Sequence, residues 1–304
     1  MQVLLPVLPY SFELMYFSER EGGQRPRVEE TISDRVWGGV VTLIASRITD
    51  GSLGDGYPEA CPDGQGPVGC DTYAFNTAVA AEHPDIPTPL RVGDAPPTIA
   101  ILDLLEFCWR GIGEPKSLGF HSYFKHSHLS WDVDAGREKF QADVNRLFSR
   151  NGLAYEMTGG GQMRRVGPAV IREALASTTF RTGDTELNRL LERAREDFLS
   201  PSLTDRRDAL EKLWDAWERV KTIDMPSDKK QSVGLLLDRA AAEPNLRKLL
   251  EEEATELTKV GNTFRIRHSE RTQVVVQESD QVDYLFHRLF AMIHLVLRRT
   301  DRAG

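Results

Sequence analysis

Apolar side chains recur at helical spacing along most of the chain, and this periodicity predicts a mostly α fold. In the first half, helices are predicted over residues 33–48, 99–109, 134–149 and 168–177. Residues 50–97 are rich in Gly, Pro and Asp and show no periodicity, which is typical of a functional loop or of an insertion packed over a core. Alternating residues on either side of Gly159-Gly160-Gly161 predict a short β-hairpin.

From residue 184 onward, the pattern predicts an almost entirely helical segment. The helices are expected over residues 184–199, 205–223, 227–241, 245–261 and 281–299. Apolar residues cover most of the circumference of the last helix, which should therefore be the central helix of a bundle. Its surplus apolar surface also predicts contact with a second subunit. The polar stretch around Gly183 marks the predicted boundary between a first domain, 1–178, and a second domain, 179–304.

Composition agrees with two globular domains. The chain has 304 residues, of which 40% are hydrophobic and 28% are charged, and domains usually contain roughly 100–200 residues. A net charge of −8 argues against a protein that coats nucleic acid unselectively. From residue 179 onward the charges nearly balance, so a cluster of arginines in that half can still bind nucleic acid locally.

Neither the start of the chain nor any later segment has the pattern of a secreted or membrane protein. The apolar start lacks a basic region and is interrupted by Pro6 and Pro9, so we expect no signal peptide. The most apolar later stretch, 282–297, contains charged residues and is expected to be a buried helix. The three cysteines are Cys61, Cys70 and Cys108. They provide neither a disulfide framework nor zinc-ligand spacing, so reduced thiols in a cytoplasmic protein are expected.

Three histidines close together raise the question of a metal site. His121, His126 and His128 fall within eight positions, in a stretch that also contains aromatic residues. No acidic or cysteine ligand is interleaved among them, and the nearest carboxylate is that of Asp132. The sequence therefore favours a solvated loop of aromatic and histidine residues, and we expect neither a metal nor another cofactor.

The segment between the last two predicted helices concentrates the groups suited to catalysis. It contains Arg265, Arg267 and His268, flanked by Asn262 and Glu270. Histidine can take or give a proton near neutrality. Arginine offers a planar fork of donors that suits phosphate. A proton-transfer group and two phosphate-binding groups are the minimum set of side chains that can cleave a phosphodiester without a metal. The alternative is a charged interhelical loop whose arginines pair with nearby glutamates.

Several segments resemble AbiJ-type abortive-infection proteins. Those in the first half are Phe17-Ser-Glu-Arg-Glu-Gly22, Tyr57-Pro-Glu-Ala-Cys-Pro-Asp-Gly64, the helix at 99–106, and Phe140, Asn145 and Leu153-Ala-Tyr155. Those that resemble the HEPN-type helical domain of the same proteins are Asp205-Arg-Arg-Asp-Ala-Leu-Glu-Lys-Leu-Trp-Asp-Ala-Trp-Glu218, Phe264-Arg-Ile-Arg-His-Ser-Glu270 and Asp283-Tyr-Leu-Phe286. The resemblance implies a bacterial defence protein with a sensing or regulatory first domain. Its HEPN-like bundle would follow, and such bundles often dimerise and act as metal-independent ribonucleases.

The resemblance also implies roles for the Arg/His segment. His268 would be the general base or acid, Arg267 and Arg265 would stabilise the phosphate, and Asn262 and Glu270 would support them. The usual HEPN signature is an arginine followed by a polar residue and, a few positions further on, a histidine. Here Asn262 stands six positions before His268, and the arginines lie closer to the histidine than the signature requires. Either these residues form a rearranged site or catalysis has been lost.

The sequence thus predicts a mostly α protein with a minor β-hairpin, in which a C-terminal HEPN-like bundle follows an α+β domain. The predicted function is that of an anti-phage effector that cuts RNA, with tRNA or mRNA as substrate. A homodimer through the bundle and a phage-derived trigger or defence partner protein are expected, and no membrane. The alternative is a catalytically silent HEPN-like module that binds RNA or protein.

Overall fold

Two units divide the chain between Met163 and Arg164 in this computed structural model, which describes residues 16–17, 25–264 and 275–304. Helices predominate and the strands form only small antiparallel pairs, so the predicted fold class is confirmed. This division between the two compact units lies 15 residues before the domain boundary predicted after residue 178. Between the two positions lies a helix that packs into the core of the second unit through Ile171 and Leu175.

Unit 1, which ends at Met163, contains four helices of the described chain and most of its strands. The elements are α1 (Asp34–Thr49), β1 (Pro58–Ala60), β2 (Pro67–Cys70), α2 (Thr72–Glu82), α3 (Thr98–Arg110), β3 (Glu114–His121), β4 (His126–Asp132), α4 (Val133–Arg150) and β5 (Tyr155–Met157). A single 3₁₀ turn, Ser52–Gly54, follows α1. Side chains with no exposed surface, such as Trp37, Ile101 and Phe140, form the core between α1, α3 and α4. The three helices predicted here from periodicity are confirmed.

Residues 50–97 contain regular structure that the sequence pattern did not reveal. Besides β1 and β2, they include helix α2, which is capped by Asp71. The Asp71 carboxylate accepts hydrogen bonds from the backbone N–H groups of Tyr73 and Ala74, both at 2.9 Å. Only Phe75 and Val79 of this helix are buried. Two buried positions are too few to produce a detectable helical repeat, which explains why α2 was missed.

The β-hairpin predicted around the three glycines is confirmed as β5 and β6 (Met163–Arg165). Its turn is closed by a 2.8 Å hydrogen bond from the Thr158 N–H to the Gln162 carbonyl. Gly161 has a φ of +79°, and a Cβ atom at this position would lie 2.2 Å from the Trp109 ring. Both its conformation and its close approach to the indole therefore require glycine.

Unit 2 is a bundle in its described part. After β6 it contains α5 (Ala169–Ser177), α6 (Thr185–Phe198), α7 (Leu203–Val220), α8 (Lys229–Ala240), α9 (Pro244–Thr263) and α10 (Ser279–Arg299). Helix α10 packs against α7 and α8, and the Phe286 ring stacks on Phe198 of α6 with 3.8 Å between centroids. The Arg288 guanidinium of α10 also pairs with Glu253 of α9 at 2.8 Å. These contacts make α10 the central helix, as predicted.

The apolar side chains of α10 are used inside unit 2 and leave no surplus face. Leu285, Phe286, Leu289, Ile293 and their apolar neighbours on the helix are buried in the core of this unit. Tyr284 is the exposed large apolar residue of α10. The premise that part of this stripe is left over for a second subunit is therefore wrong. Among the described helices, none is both long and apolar enough to cross a membrane.

Candidate functional site

The predicted cleavage site lies almost wholly outside the part of the chain that the structure describes. Asn262 belongs to the last turn of α9, where it is exposed. Arg265, Arg267, His268 and Glu270 fall outside the described residues. Their arrangement and their proposed roles therefore stay predictions. The described residues do show how the two ends of this segment are attached to the bundle.

The end of α9 that leads into the segment is seated on Trp214 of α7. The indole Nε1 of Trp214 donates a 2.9 Å hydrogen bond to the Leu257 carbonyl, and the ring is fully buried. One turn further along, a Cβ atom on Gly261 would lie 2.2 Å from Cδ1 of the same ring. Glycine thus allows α9 to approach the indole closely, and α7 fixes the last turns of α9.

The same helix, α7, holds the chain where it enters α10. The Arg207 guanidinium donates hydrogen bonds to the carbonyls of Val276 and Gln277, at 2.8 and 3.0 Å. Arg206, only 1% exposed, donates to the Ser279 hydroxyl at 3.0 Å. The described residues that precede position 265 and those that follow position 274 thus contact one and the same helix, α7.

A second group of reactive side chains lies in unit 1, on the hairpin formed by β3 and β4. The antiparallel register pairs His121 with His126 and Gly119 with His128. Directly paired residues share a face, as do residues two apart on one strand, so the three histidines lie on the same face of the hairpin. Their ring centroids are 5.6 Å apart for His121 and His126, 5.2 Å for His121 and His128, and 5.7 Å for His126 and His128.

Cys61 joins these histidines from the turn that follows β1. Its backbone N–H donates to the Gly66 carbonyl at 2.8 Å, which closes the turn. The thiol Sγ lies 3.2 Å from Nε2 of His126 and 3.6 Å from Nδ1 of His121. Cys61 is only 3% exposed, and burial raises the pKa of its thiol.

Asp63 adds a carboxylate beside the same group. Its Oδ2 lies 3.3 Å from Nδ1 of His121. A hydrogen bond from Cys61 lowers the pKa of the Asp63 carboxyl, as do the Gln65 backbone N–H and the nearby His121. The Gln65 N–H lies 2.9 Å from Oδ1, so this turn orients the carboxylate. Asp63 is therefore placed to hold His121 in one orientation.

One potential ligand atom from each of Cys61, His121, His126 and His128 lies within 4.8 Å of the others, and we call these four residues the Cys/His cluster. The Nε2 atom of His128 is buried and has no hydrogen-bond partner among the described residues. A cavity of about 310 Å³ adjoins the rings of His121 and His128. The four side chains have the chemistry and the spacing to hold a metal ion.

The prediction of a solvated loop at the histidines is therefore wrong. No acidic residue or cysteine is interleaved among them in sequence, but Cys61 lies beside them in the structure. The histidines belong to a β-hairpin, and Cys61 reaches them from a different strand pair, 60 residues before His121. Spacing along the chain gives no information about such a contact, because it depends on how two hairpins pack. The segment Tyr57–Gly64, which contains Cys61 and Asp63, was notable only for its family resemblance.

Comparison with known proteins identifies one family. The family described as AbiJ N-terminal domain 4 matches residues 15–181, which is more than half of the chain. The match includes the whole Cys/His cluster and ends before α6. No curated protein and no solved structure gives a significant match.

Proposed function

The chain belongs to the AbiJ N-terminal domain 4 family, and we propose that it is an abortive-infection effector whose second unit is a HEPN-type, metal-independent RNA endonuclease. The AbiJ domain supports a role in defence against phage. The assignment of RNA cleavage to unit 2 is our own step beyond the family. It depends on the residues of the Arg/His segment and on the contacts between α7 and the described residues on either side of that segment.

The observation that carries the proposal is that α7 holds the described residues on either side of the Arg/His segment. Trp214 holds the last turns of α9, while Arg206 and Arg207 hold the chain at the start of α10. Catalysis requires reacting groups to be held close to one geometry, and sites supported by rigid helices achieve this better than long free loops. The described residues before and after the two arginines and the histidine are held by one helix, which supports the assignment of a cleavage site to this part of the chain.

Each polar residue of the segment has a role in this proposal. His268 accepts the proton of the ribose 2′-hydroxyl or protonates the 5′-oxygen leaving group, and such transfer contributes roughly 10²–10⁴-fold to a rate. Arg267 and Arg265 stabilise the charge that develops on the phosphate. Asn262 and Glu270 orient these side chains. The substrate is RNA, with tRNA or mRNA as the candidate class.

We include a homodimer in the proposal, because a paired site would supply both an acid and a base. The apolar stripe of α10 is buried, so another surface must form the interface. Tyr284 is 59% exposed and lies near the start of α10, close in sequence to the Arg/His segment. We take Tyr284 as the centre of a two-fold contact, and the paired site requires the Arg/His segments of two copies to meet there. Light scattering at micromolar concentration should give twice the chain mass, and Tyr284→Glu should reduce it to one chain.

Incubation of the purified full-length protein with total RNA in the presence of EDTA tests the proposal. Discrete RNA fragments are expected, since neither histidine nor arginine chemistry requires a metal. Cleavage that EDTA abolishes while the protein stays folded, as judged by circular dichroism, would contradict the metal-independent mechanism. Retention of RNA without fragments would instead indicate a catalytically silent binding module. A monomer that still cuts RNA would remove the paired site and leave the remainder of the proposal in place.

A further inference from the structure

We propose that unit 1 binds one zinc ion through the Cys/His cluster, with Cys61, His121, His126 and His128 as its four ligands. This site lies in a different unit from the proposed ribonuclease segment and takes no part in that chemistry. The proposal rests on the distances between the ligand atoms, on the hydrogen bonds that the cluster lacks, and on the identity of the donors.

The ligand atoms are already close to the spacing of a tetrahedral zinc site. Zinc binds thiolate at about 2.3 Å and imidazole nitrogen at about 2.0–2.1 Å, so neighbouring ligand atoms in a tetrahedron are roughly 3.3–3.7 Å apart. The distances from Cys61 Sγ to His126 Nε2 and to His121 Nδ1 are 3.2 and 3.6 Å. The widest separation in the cluster is within 4.8 Å. Closing that separation needs a movement of about 1 Å, which side-chain rotation can supply.

The hydrogen bonds within the cluster leave one buried histidine nitrogen without a partner. Most buried polar groups in folded proteins have a partner. The Nε2 atom of His128 is buried, yet no described residue accepts or donates a hydrogen bond there. A metal ion would bind this lone pair and satisfy it. The unpartnered nitrogen and the convergent thiol are separate observations that point to the same ligand.

The surroundings also provide an oxygen donor and a route to the cluster. The Asp63 carboxylate lies 3.3 Å from Nδ1 of His121, the same ring nitrogen that lies 3.6 Å from Cys61 Sγ. An outer partner of a metal-bound histidine contacts the other ring nitrogen, so Asp63 is here a neighbouring oxygen donor beside the ion. The cavity of about 310 Å³ beside His121 and His128 gives an ion or a chelator a route to the cluster.

The donor set selects zinc and a structural role. One thiolate and three imidazoles suit zinc better than magnesium or calcium, which prefer oxygen ligands. Four protein ligands fill a tetrahedral site and leave no position for substrate. The ion would link the turn after β1 to the hairpin of β3 and β4, whose strands otherwise bury few side chains. Zinc should therefore stabilise unit 1.

The experiment uses the untagged full-length protein, because an affinity tag of histidines would itself bind zinc. Elemental analysis after purification without chelator should give one zinc per chain. Replacement by cobalt(II) should produce the visible spectrum of a tetrahedral site together with a thiolate-to-cobalt charge-transfer band. Cys61→Ala and His128→Asn should weaken zinc binding at least about 100-fold, since even the loss of an outer partner costs roughly 10–100-fold.

Cys70→Ala is the matched control, because Cys70 is also a buried thiol of unit 1 but lies outside the cluster. It should keep one zinc per chain and the cobalt spectrum. A strong zinc chelator should lower the melting temperature of the wild type and of Cys70→Ala, and leave that of Cys61→Ala unchanged.

Two results would overturn the proposal. One is a wild-type protein that takes up neither zinc nor cobalt, which needs no variant and so cannot be confused with misfolding. The other is a Cys61→Ala protein that keeps stoichiometric zinc. Neither result depends on RNA cleavage, so the zinc site and the ribonuclease can fail separately.

Discussion

The Arg165 guanidinium and the Asp283 carboxylate form two parallel hydrogen bonds, at 3.0 and 2.6 Å, inside unit 2. Both residues are buried, at 6% and 8% exposure. The pair joins the short strand β6 to the central helix α10. Breaking a buried ion pair by removing the charge of one partner usually costs about 3–5 kcal/mol.

Asp283→Asn should therefore lower the free energy of unfolding by about 3–5 kcal/mol, as measured by urea denaturation. The double variant Arg165→Met, Asp283→Leu removes both charges and should recover much of the loss. A double variant no more stable than Asp283→Asn alone would show that the cost comes from lost packing and not from the lost ion pair.

Two glycines in neighbouring helices give opposite predictions for the same substitution. Alanine is favoured over glycine inside a helix by about 0.8–1 kcal/mol. Gly234 in α8 faces open space, so Gly234→Ala should stabilise the protein by up to that amount. Gly261 in α9 lies against Trp214, and Gly261→Ala should destabilise it by about 1–3 kcal/mol through overpacking. Thermal unfolding of both variants measures the difference, and equal stabilisation would mean that α9 is not seated on the indole.

His287 on α10 should make stability depend on pH. Burial lowers the pKa of His287, and the Arg165 charge acts in the same direction, while Asp283 opposes them. In the unfolded chain the imidazole has its ordinary pKa of about 6.5. As the pH falls through that value, the unfolded state takes up a proton that the folded state does not, so stability falls.

Urea denaturation at about pH 7.5 and about pH 5.5, on either side of the ordinary imidazole pKa, measures this effect. His287→Gln should reduce the loss of stability between the two conditions. His294→Gln should reduce it further, because burial and Arg298 also lower the pKa of His294. An unchanged pH dependence in the double variant would show that other groups control it.

Much of the fold could be predicted from the sequence, because it depends on local repeats. The helices of unit 2 bury long apolar stripes, as in α10, and such stripes appear directly as periodicity. The elements that the sequence did not predict either depend on contacts between residues far apart in sequence or bury too few side chains to produce a repeat. Helix α2 buries only Phe75 and Val79. The strands β3 and β4 expose residues such as Leu118 and Phe120, so no alternation marks them.

The candidate sites show the same distinction. The Arg/His segment could be singled out because its residues are adjacent in sequence. The Cys/His cluster could not, since Cys61 meets His126 only when the turn after β1 packs against the second hairpin. Arg206 is a further example, because helical spacing assigns it to the polar face of α7. It is nevertheless buried, since the chain entering α10 covers it and Ser279 accepts its hydrogen bond.

The boundary between the units leads to a prediction about truncated proteins. Helix α5 buries Ile171 and Leu175 in the core of unit 2. A fragment of residues 164–304 keeps this helix, whereas a fragment of residues 179–304 loses it. Each large side chain removed from a core costs about 2–5 kcal/mol. Circular dichroism should therefore show a cooperative thermal transition for the longer fragment and a much less stable fold for the shorter one.

The longer fragment also tests whether the first unit restrains the second. If unit 1 senses a phage trigger and holds unit 2 inactive, expression of residues 164–304 should arrest growth without infection. The same fragment carrying His268→Ala should be harmless. A well-folded, harmless 164–304 fragment would argue against restraint by unit 1.

The strongest test of the ribonuclease proposal is His268 itself. His268→Ala should abolish RNA cleavage and toxicity, because the proton-transfer group is lost. On the catalytic assignment its melting temperature should match that of the wild type, because a proton-transfer residue that contacts substrate is not part of a packed core, and such substitutions rarely change stability by more than about 0.5 kcal/mol. Arg267→Lys keeps the charge but loses the planar fork and should also reduce cleavage strongly. Arg265→Lys should be milder if that residue only grips RNA.

Glu218→Gln is the control for this experiment, because it should lower stability without changing the chemistry. The Glu218 carboxylate binds the buried Lys221 ammonium at 2.5 Å and the Lys229 ammonium at 2.6 Å. Its loss leaves Lys221 without its main partner, so the melting temperature should fall while the cleavage rate of the folded protein stays unchanged. Comparing cleavage rate with melting temperature for the two variants separates chemistry from stability. If His268→Ala cuts RNA normally, the active site lies elsewhere. If His268→Ala is unfolded, this histidine has a structural role, and the ribonuclease proposal loses its main support.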